Sequence, residues 1–225
     1  IAMMNPASSP VCVPVPLSQT ETGGEREGAV DPSQGTGASQ PQQTIVLNSC
    51  YERLRFTLFT LWPYMVPLFV VYFSEYAMQS GTWASIGFPL HDKEARKMFY
   101  EMAGWCYQAG VFISRSSGLY CRASRRQLWV MPVLQALLLI FFWLDAVYMF
   151  WYNWTLLVPC FVTGLLGGAV YVGAFSLIAE EIQEGPLREF SLASASLADS
   201  FGILLADLVG IAIQRQLYDF HGLED

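Results

Sequence analysis

Residues 133–144 read VLQALLLIFFWL, and the apolar run around them extends over about 128–150. That length and character match the roughly 20 apolar residues a helix needs to cross a bilayer. Working outward, further apolar segments fall at about 54–79, 96–116, 154–182 and 187–217. None shows the period-two alternation of an outer-membrane barrel strand. Five spans predict an all-α membrane protein. Composition agrees: the chain is 53% hydrophobic, 15% aromatic and only 14% charged, against about a quarter charged for soluble domains. So few charges cannot clothe a water-facing surface unless lipid covers much of it.

The segments differ in quality. The first contains Pro63 and Pro67, so a kink is expected there. The second is the weakest, with Glu101, Gln108 and Arg115 inside it. Residues 1–48 are rich in Pro, Ser, Thr, Gly and Gln without apolar periodicity, and predict a disordered tail or linker. The chain opens at Ile1 and reads as part of something longer. Seven arginines (Arg53, Arg55, Arg115, Arg122, Arg125, Arg126, Arg188) fall on the tail side, against Lys93, Arg96, Lys97 and Arg215 on the other. This bias favours a cytosolic N-terminal tail. Asn153-Trp154-Thr155 is a glycosylation sequon on the predicted lumenal side. The rings of Trp143, Tyr148, Trp151, Tyr152 and Trp154 read as an interfacial anchor without a ligand role.

Several functions are excluded. A net charge of −7 leaves no basic face for nucleic acid. The five cysteines (Cys12, Cys50, Cys106, Cys121, Cys160) show neither CxxC spacing nor a nearby histidine, so no metal site or disulfide framework is expected. Cys106 and Cys160 read as small buried residues, Cys50 and Cys121 as idle thiols flanking spans. GxSxG, HExxH and P-loop patterns do not occur, and His91 and His221 lie outside the spans. No enzyme and no cofactor is expected.

Small residues recur at four-residue spacing at Ala198, Gly202, Ala206 and Gly210, and Gly164, Gly167 and Gly168 cluster in the fourth segment. Residues four apart share a helix face, and a face without bulk lets a neighbouring helix approach closely. Static packing is the plainer reading; faces that slide as transporter halves rock are the livelier one. Ionisable groups inside spans carry more information, because each costs about 2.5–3.5 kcal/mol at the bilayer centre. Glu75 lies deep in the first segment, with Tyr72 and Gln79 on the same face. Gln108 and Arg115 form a similar face on the second, and Asp199 lies on the fifth. These residues are expected to line a polar pathway in which Glu75 carries a proton and Arg115 meets negative charge; a structural ion pair, or side chains that snorkel to an interface, is the alternative. Asp145 and Asp207 are weaker candidates, Glu180 and Glu181 read as solvated groups at the end of the fourth span, and His91 reads as an exposed loop residue.

VPLFVVYFSEY (66–76), WCYQAGVFISRSSG (105–118), GLLGGAVYV (164–172) and REFSLASASLADSFGILLA (188–206) occur in this order. Together they resemble the C-terminal half of battenin-family proteins over about 51–208. The resemblance implies a multispanning protein of lysosomal, vacuolar or late endosomal membranes, with this chain as one half of a major-facilitator-like bundle. It also implies links to lysosomal pH, amino-acid balance and glycerophosphodiester clearance. By motif, Glu75 matches the acidic residue of the VYFxEY segment, Arg115 that of SRSS and Asp199 that after the small-residue run. Gly167 and Gly168 match the LLGGA turn. The expected partners are the lipid bilayer, an upstream N-terminal transmembrane half and a small polar or anionic solute. A non-transporting scaffold that regulates organelle trafficking or acidification is the alternative.

Overall fold

Two serines start two of the helices. Ser124 Oγ accepts from Gln127 N (3.3 Å) while Gln127 Oε1 accepts from Ser124 N (2.8 Å). Ser49 and Glu52 repeat this reciprocal cap, which satisfies donors that a helix start otherwise leaves free. The computed structural model describes residues 49–117, 124–183 and 185–223, all within the unit Gln43–Asp225. The expected tail at 1–48, with Cys12, and the loop residues Cys121 and Arg122 lie outside the described residues.

Helix α1 (Cys50–Thr60) is followed by α2 (Trp62–Ala77), which continues as a π-helical turn, Met78–Thr82, and a 3₁₀ turn, Trp83–Ser85. Then come α3 (Lys93–Ser117), α4 (Arg125–Tyr148), α5 (Leu157–Glu181, entered through a 3₁₀ turn at Trp154–Leu156) and α6 (Gly185–His221). No strand occurs among the described residues. Three helical rods, Arg125–Tyr148, Trp154–Glu181 and Gly185–His221, are long and apolar enough to cross a membrane. A fourth crossing is reached if the bent pair α1 and α2 counts as one.

The sequence predicts five spans; among the described residues three helices, or four with the bent pair, are long and apolar enough to cross. The second segment does form a helix of 25 residues. Lys93, Glu94, Arg96, Lys97 and Glu101 crowd its first half and Arg115 sits near its end, so its uncharged stretch, 102–114, is short for a crossing. The sequence also predicts one kinked rod over 54–79. Instead the chain breaks at Leu61 and turns by 70°. Pro63, at the start of α2, has no N–H, and its ring would strike the carbonyl four residues back. Pro67 is carried inside α2 without a break.

Helix α2 lies along α6 and also touches α4 and α5, while α3 lies along α5. Both long contacts depend on residues without bulk. A Cβ at Gly164 would overlap the Tyr107 carbonyl, and one at Gly110 the Phe161 carbonyl. On α6, a Cβ at Gly202 would sit 2.9 Å from the Phe69 carbonyl oxygen, and one at Gly210 would strike Ser80 Oγ. Ala198 and Ala206 are buried on the same face. Lipid tails are as apolar as leucine, so helices in a bilayer associate through such close van der Waals fit. The outer faces stay apolar: Trp105 is 75% exposed, Phe112 73%, Leu197 66% and Leu208 63%.

The two ends are closed differently. At one, Arg125 pairs with Glu181, and the Tyr64 hydroxyl donates to the same carboxylate, joining the starts of α2 and α4 to the end of α5. At the other, Gly87 N donates to Tyr152 Oη (3.0 Å) and Phe88 packs on the Tyr152 ring at 4.7 Å. Burial raises the Tyr152 phenol above its ordinary pKa, so it stays protonated there. Met149 turns the chain out of α4 with φ 52°, a conformation costing a non-glycine residue about 1–2 kcal/mol. Buried Asp145 holds that turn by accepting from Trp151 N (2.7 Å).

Gly164→Val should destabilise the fold by about 1–3 kcal/mol, because the added atoms meet backbone that cannot yield. Gly104→Ala, whose Cβ would meet nothing within 4 Å, should leave the unfolding midpoint unchanged or slightly higher. Thermal unfolding in lipid nanodiscs checks both; equal losses would remove the close-approach account of the α3–α5 contact.

Candidate functional site

Helix α2 presents Tyr72, Glu75 and Gln79 to the interior of the bundle. Its neighbours make this possible. Gly167 on α5 has no side chain, and a Cβ there would lie 2.7 Å from Glu75 Oε1 and 2.9 Å from Cδ. The glycine therefore forms the seat of the Glu75 carboxyl. Glu75 is 1% exposed, and neither of its oxygens has a hydrogen-bond partner. The Tyr107 hydroxyl faces it from α3 but falls short of hydrogen-bond geometry, consistent with both oxygens being unpartnered. Leaving a buried polar group unpaired costs about 1–3 kcal/mol, and more for a charge. A group kept at that cost is a candidate for function.

Arg115 is placed differently. It is exposed near the end of α3 and lines an open cleft of about 390 Å³ with Gln108, Val111, Phe112 and Ser116. Its Nη2 donates to Tyr72 Oη (3.3 Å), and its guanidinium lies 4.5 Å from the Tyr171 ring centre, a cation–π distance. Glu75, Arg115 and half-buried Asp199 all act electrostatically on the Tyr72 hydroxyl. Asp199 Oδ1 accepts from Ser200 N at 2.7 Å.

The structure thus gathers Glu75, Arg115 and Asp199 around Tyr72 without pairing Glu75 to Arg115. The sequence predicts that Glu75 and Arg115 line one polar cavity. Glu75 is instead enclosed among α2, α3 and α5, and the cleft is lined by Arg115 and Gln108 without it. Gln79 is half-buried with its Nε2 enclosed and unpartnered. Asp207 and His91 are exposed. A separate apolar groove of about 650 Å³ runs between α2 and α6, with Trp62, Phe69, Phe201 and Leu204 among its lining.

Sequence reading passed over Tyr107, Tyr171, Trp83 and Gln135. Tyr107 and Tyr171 look like ordinary span aromatics, and only the folded geometry turns them toward Glu75 and Arg115. Trp83 had a signal, since it follows Glu75 and Gln79 at the same spacing of four. Gly110 had one too: it stands four residues before Ser114, and both meet α5.

Long rods with apolar outer faces around an enclosed carboxyl define a multi-pass helical membrane protein. The family described as CLN3 protein matches residues 15–220, and the chain belongs to that family. It is 38% identical to Protein BTN1 of Yarrowia lipolytica over 194 residues, covering 84% of this chain and 48% of that protein. Protein BTN1 of Eremothecium gossypii is 35% identical over 190 residues, 80% of this chain and 45% of the relative. Protein BTN1 of Saccharomyces cerevisiae is 36% identical over 178 residues, 74% and 42%. The chain spans about half the length of these relatives. No solved structure matches it.

The Gly167 seat makes a coupled prediction. Gly167→Ala should destabilise the protein by about 1–3 kcal/mol, since the Glu75 carboxyl must move. In a Glu75→Ala background the same change should cost much less. Unfolding midpoints of the four variants check this, and additive losses would show that the two residues do not share the seat.

Proposed function

We propose that this chain is the C-terminal half of a proton-coupled transporter-like protein of the lysosomal or vacuolar membrane. One observation carries the reading: the Glu75 carboxyl is enclosed in the bundle and neither of its oxygens has a hydrogen-bond partner. Such a carboxyl holds a proton while it is shut off from bulk solvent and releases it when the bulk is connected to it, which is what alternating access requires. Arg115 supplies a fixed positive charge in an open cleft and suits a small polar or anionic solute. Tyr72 links the two, touching Arg115 and lying one helical turn from Glu75.

Partial coverage of the relatives supports a second, N-terminal half that completes a major-facilitator-like bundle. In that arrangement α3 serves as a fifth span, its polar face turned to the partner half. Family resemblance supports the organelle, with the 1–48 stretch as a cytosolic linker. A regulatory scaffold is the second reading, and one observation favours it: Glu75 does not open onto the Arg115 cleft, so it could be purely architectural.

Full-length protein in proteoliposomes separates the two. A pH gradient should drive solute accumulation, and Glu75→Gln should abolish the gradient dependence. Arg115→Ala should raise the KM for an anionic solute by about tenfold, the loss of one charge-assisted hydrogen bond. Gradient-driven flux that survives Glu75→Gln would remove the proton-carrier role.

A further inference from the structure

Among the described residues, six enclosed side-chain atoms lack a hydrogen-bond partner, and four belong to three residues in one column: both oxygens of Glu75, Nε2 of Gln79 and Nε1 of Trp83. Glu75 and Trp83 are each 1% exposed. Residues four apart in an α-helix drift around it by about 40°, which would carry Trp83 away from Glu75. The π-helical turn Met78–Thr82 lies between them, and its wider winding takes up that drift. The three side chains consequently share one face.

Tyr107 of α3 closes this face. Its ring centre is 6.2 Å from that of Trp83, and its hydroxyl faces Glu75. Phe142 of α4 packs edge-on against Trp83 at 5.7 Å, and Gly167 of α5 floors the Glu75 end. At the adjoining level of α5, Gln135 Nε2 reaches the Thr163 carbonyl at 3.5 Å, leaving Gln135 Oε1 as a further unpartnered acceptor.

The chemistry of these groups selects their ligand. Gln79 Nε2 and Trp83 Nε1 can only donate, while the Glu75 oxygens accept. A metal cation needs several oxygen ligands and is opposed by the two N–H groups. An anion is opposed by the carboxylate. Water both donates and accepts, and buried water makes about three hydrogen bonds to groups otherwise left unpaired.

We propose that Glu75, Gln79, Trp83 and Tyr107 hold a short file of water inside this bundle, and that the file gives Glu75 a proton route along α2 toward Trp83, away from the Arg115 cleft. Each water accepts a proton on its oxygen as it releases another, so one proton moves and every water keeps two hydrogens; the waters then turn before the next transfer. Gln79 and Trp83 orient the water and do not titrate. The groups acting on Glu75 are Tyr107 and Arg115, with Tyr72 and Tyr76 beside it on α2. The water site stands on geometry alone; its use as a route rests on the proton role proposed above.

Hydroxyl-radical footprinting by water radiolysis, on the full-length protein in nanodiscs, tests the site directly. Trp151, in the loop after α4, is 46% exposed and Trp83 1%, and both are the same residue type. Bound water should label Trp83 at more than about a tenth of the Trp151 rate. A lower rate overturns the proposal. This wild-type comparison decides the matter even if a variant fails to fold. In Gln79→Leu the Trp83 labelling should fall by about tenfold as the file loses a donor; undiminished labelling removes Gln79 from the site. Proton flux in proteoliposomes should fall by a similar factor in Gln79→Leu and Trp83→Phe. A wet Trp83 with unchanged flux in both variants overturns the route. Flux independent of Glu75 sinks the proton role proposed above while the footprint still decides the water site.

Discussion

Where α5 crosses α3, Gly164 lies against the Tyr107 carbonyl, Gly110 against the Phe161 carbonyl and Gly168 against Ser114. No side chain separates the two backbones, and Ser114 Oγ donates to the Leu165 carbonyl at 2.7 Å across the contact. This approach places Gly167 next to α2, where it leaves the volume that the Glu75 carboxyl occupies. It also presents Tyr107 to both Glu75 and Trp83. The polar interior exists because α5 has no side chain to put there.

The same constraint divides the polar groups into two environments. Arg115 and Gln108 sit on an open cleft. Glu75, Gln79 and Trp83 sit inside, with groups that find no protein partner. Tyr72 stands at the boundary, buried yet bonded to Arg115. A bundle that encloses a carboxyl without pairing it forgoes stability that an apolar residue of similar size would supply. That cost distinguishes Glu75 from Asp145, which is equally buried but spends one oxygen on the Trp151 N–H and so holds a turn.

The helix ends keep the interior closed. Arg125, Glu181 and Tyr64 join three helices at one end. At the other, Tyr218 Oη donates to the Ala84 carbonyl (3.3 Å) and His221 Nε2 contacts the Ala146 carbonyl at 2.8 Å. These ties bring the end of α6 to the ends of α2 and α4, the same level at which Phe88 and Tyr152 pack. The π-helical turn lies just inside that level, where Gly210 lets α6 close on Ser80 and Gly81.

Much of this was legible in the sequence, because it depends on local period and composition. The apolar runs at 128–150, 154–182 and 187–217 became the three long rods. Glu75 stood out as an ionisable group where hydrocarbon surrounds it. The character of α3 and the break at Leu61 were less legible: α3 crowds five charges into its first half ahead of an apolar stretch, and Pro63 acts through a clash with a carbonyl four residues earlier. Which groups share a space was decided only by tertiary structure. Spacing along one helix states that Tyr72, Glu75 and Gln79 face alike, but not what they face. That Glu75 meets Gly167 and Tyr107, while Arg115 turns outward over Tyr171, follows from how α3, α5 and α2 cross. Crossing geometry is set by the fit of whole helix surfaces, and no single stretch of chain encodes it.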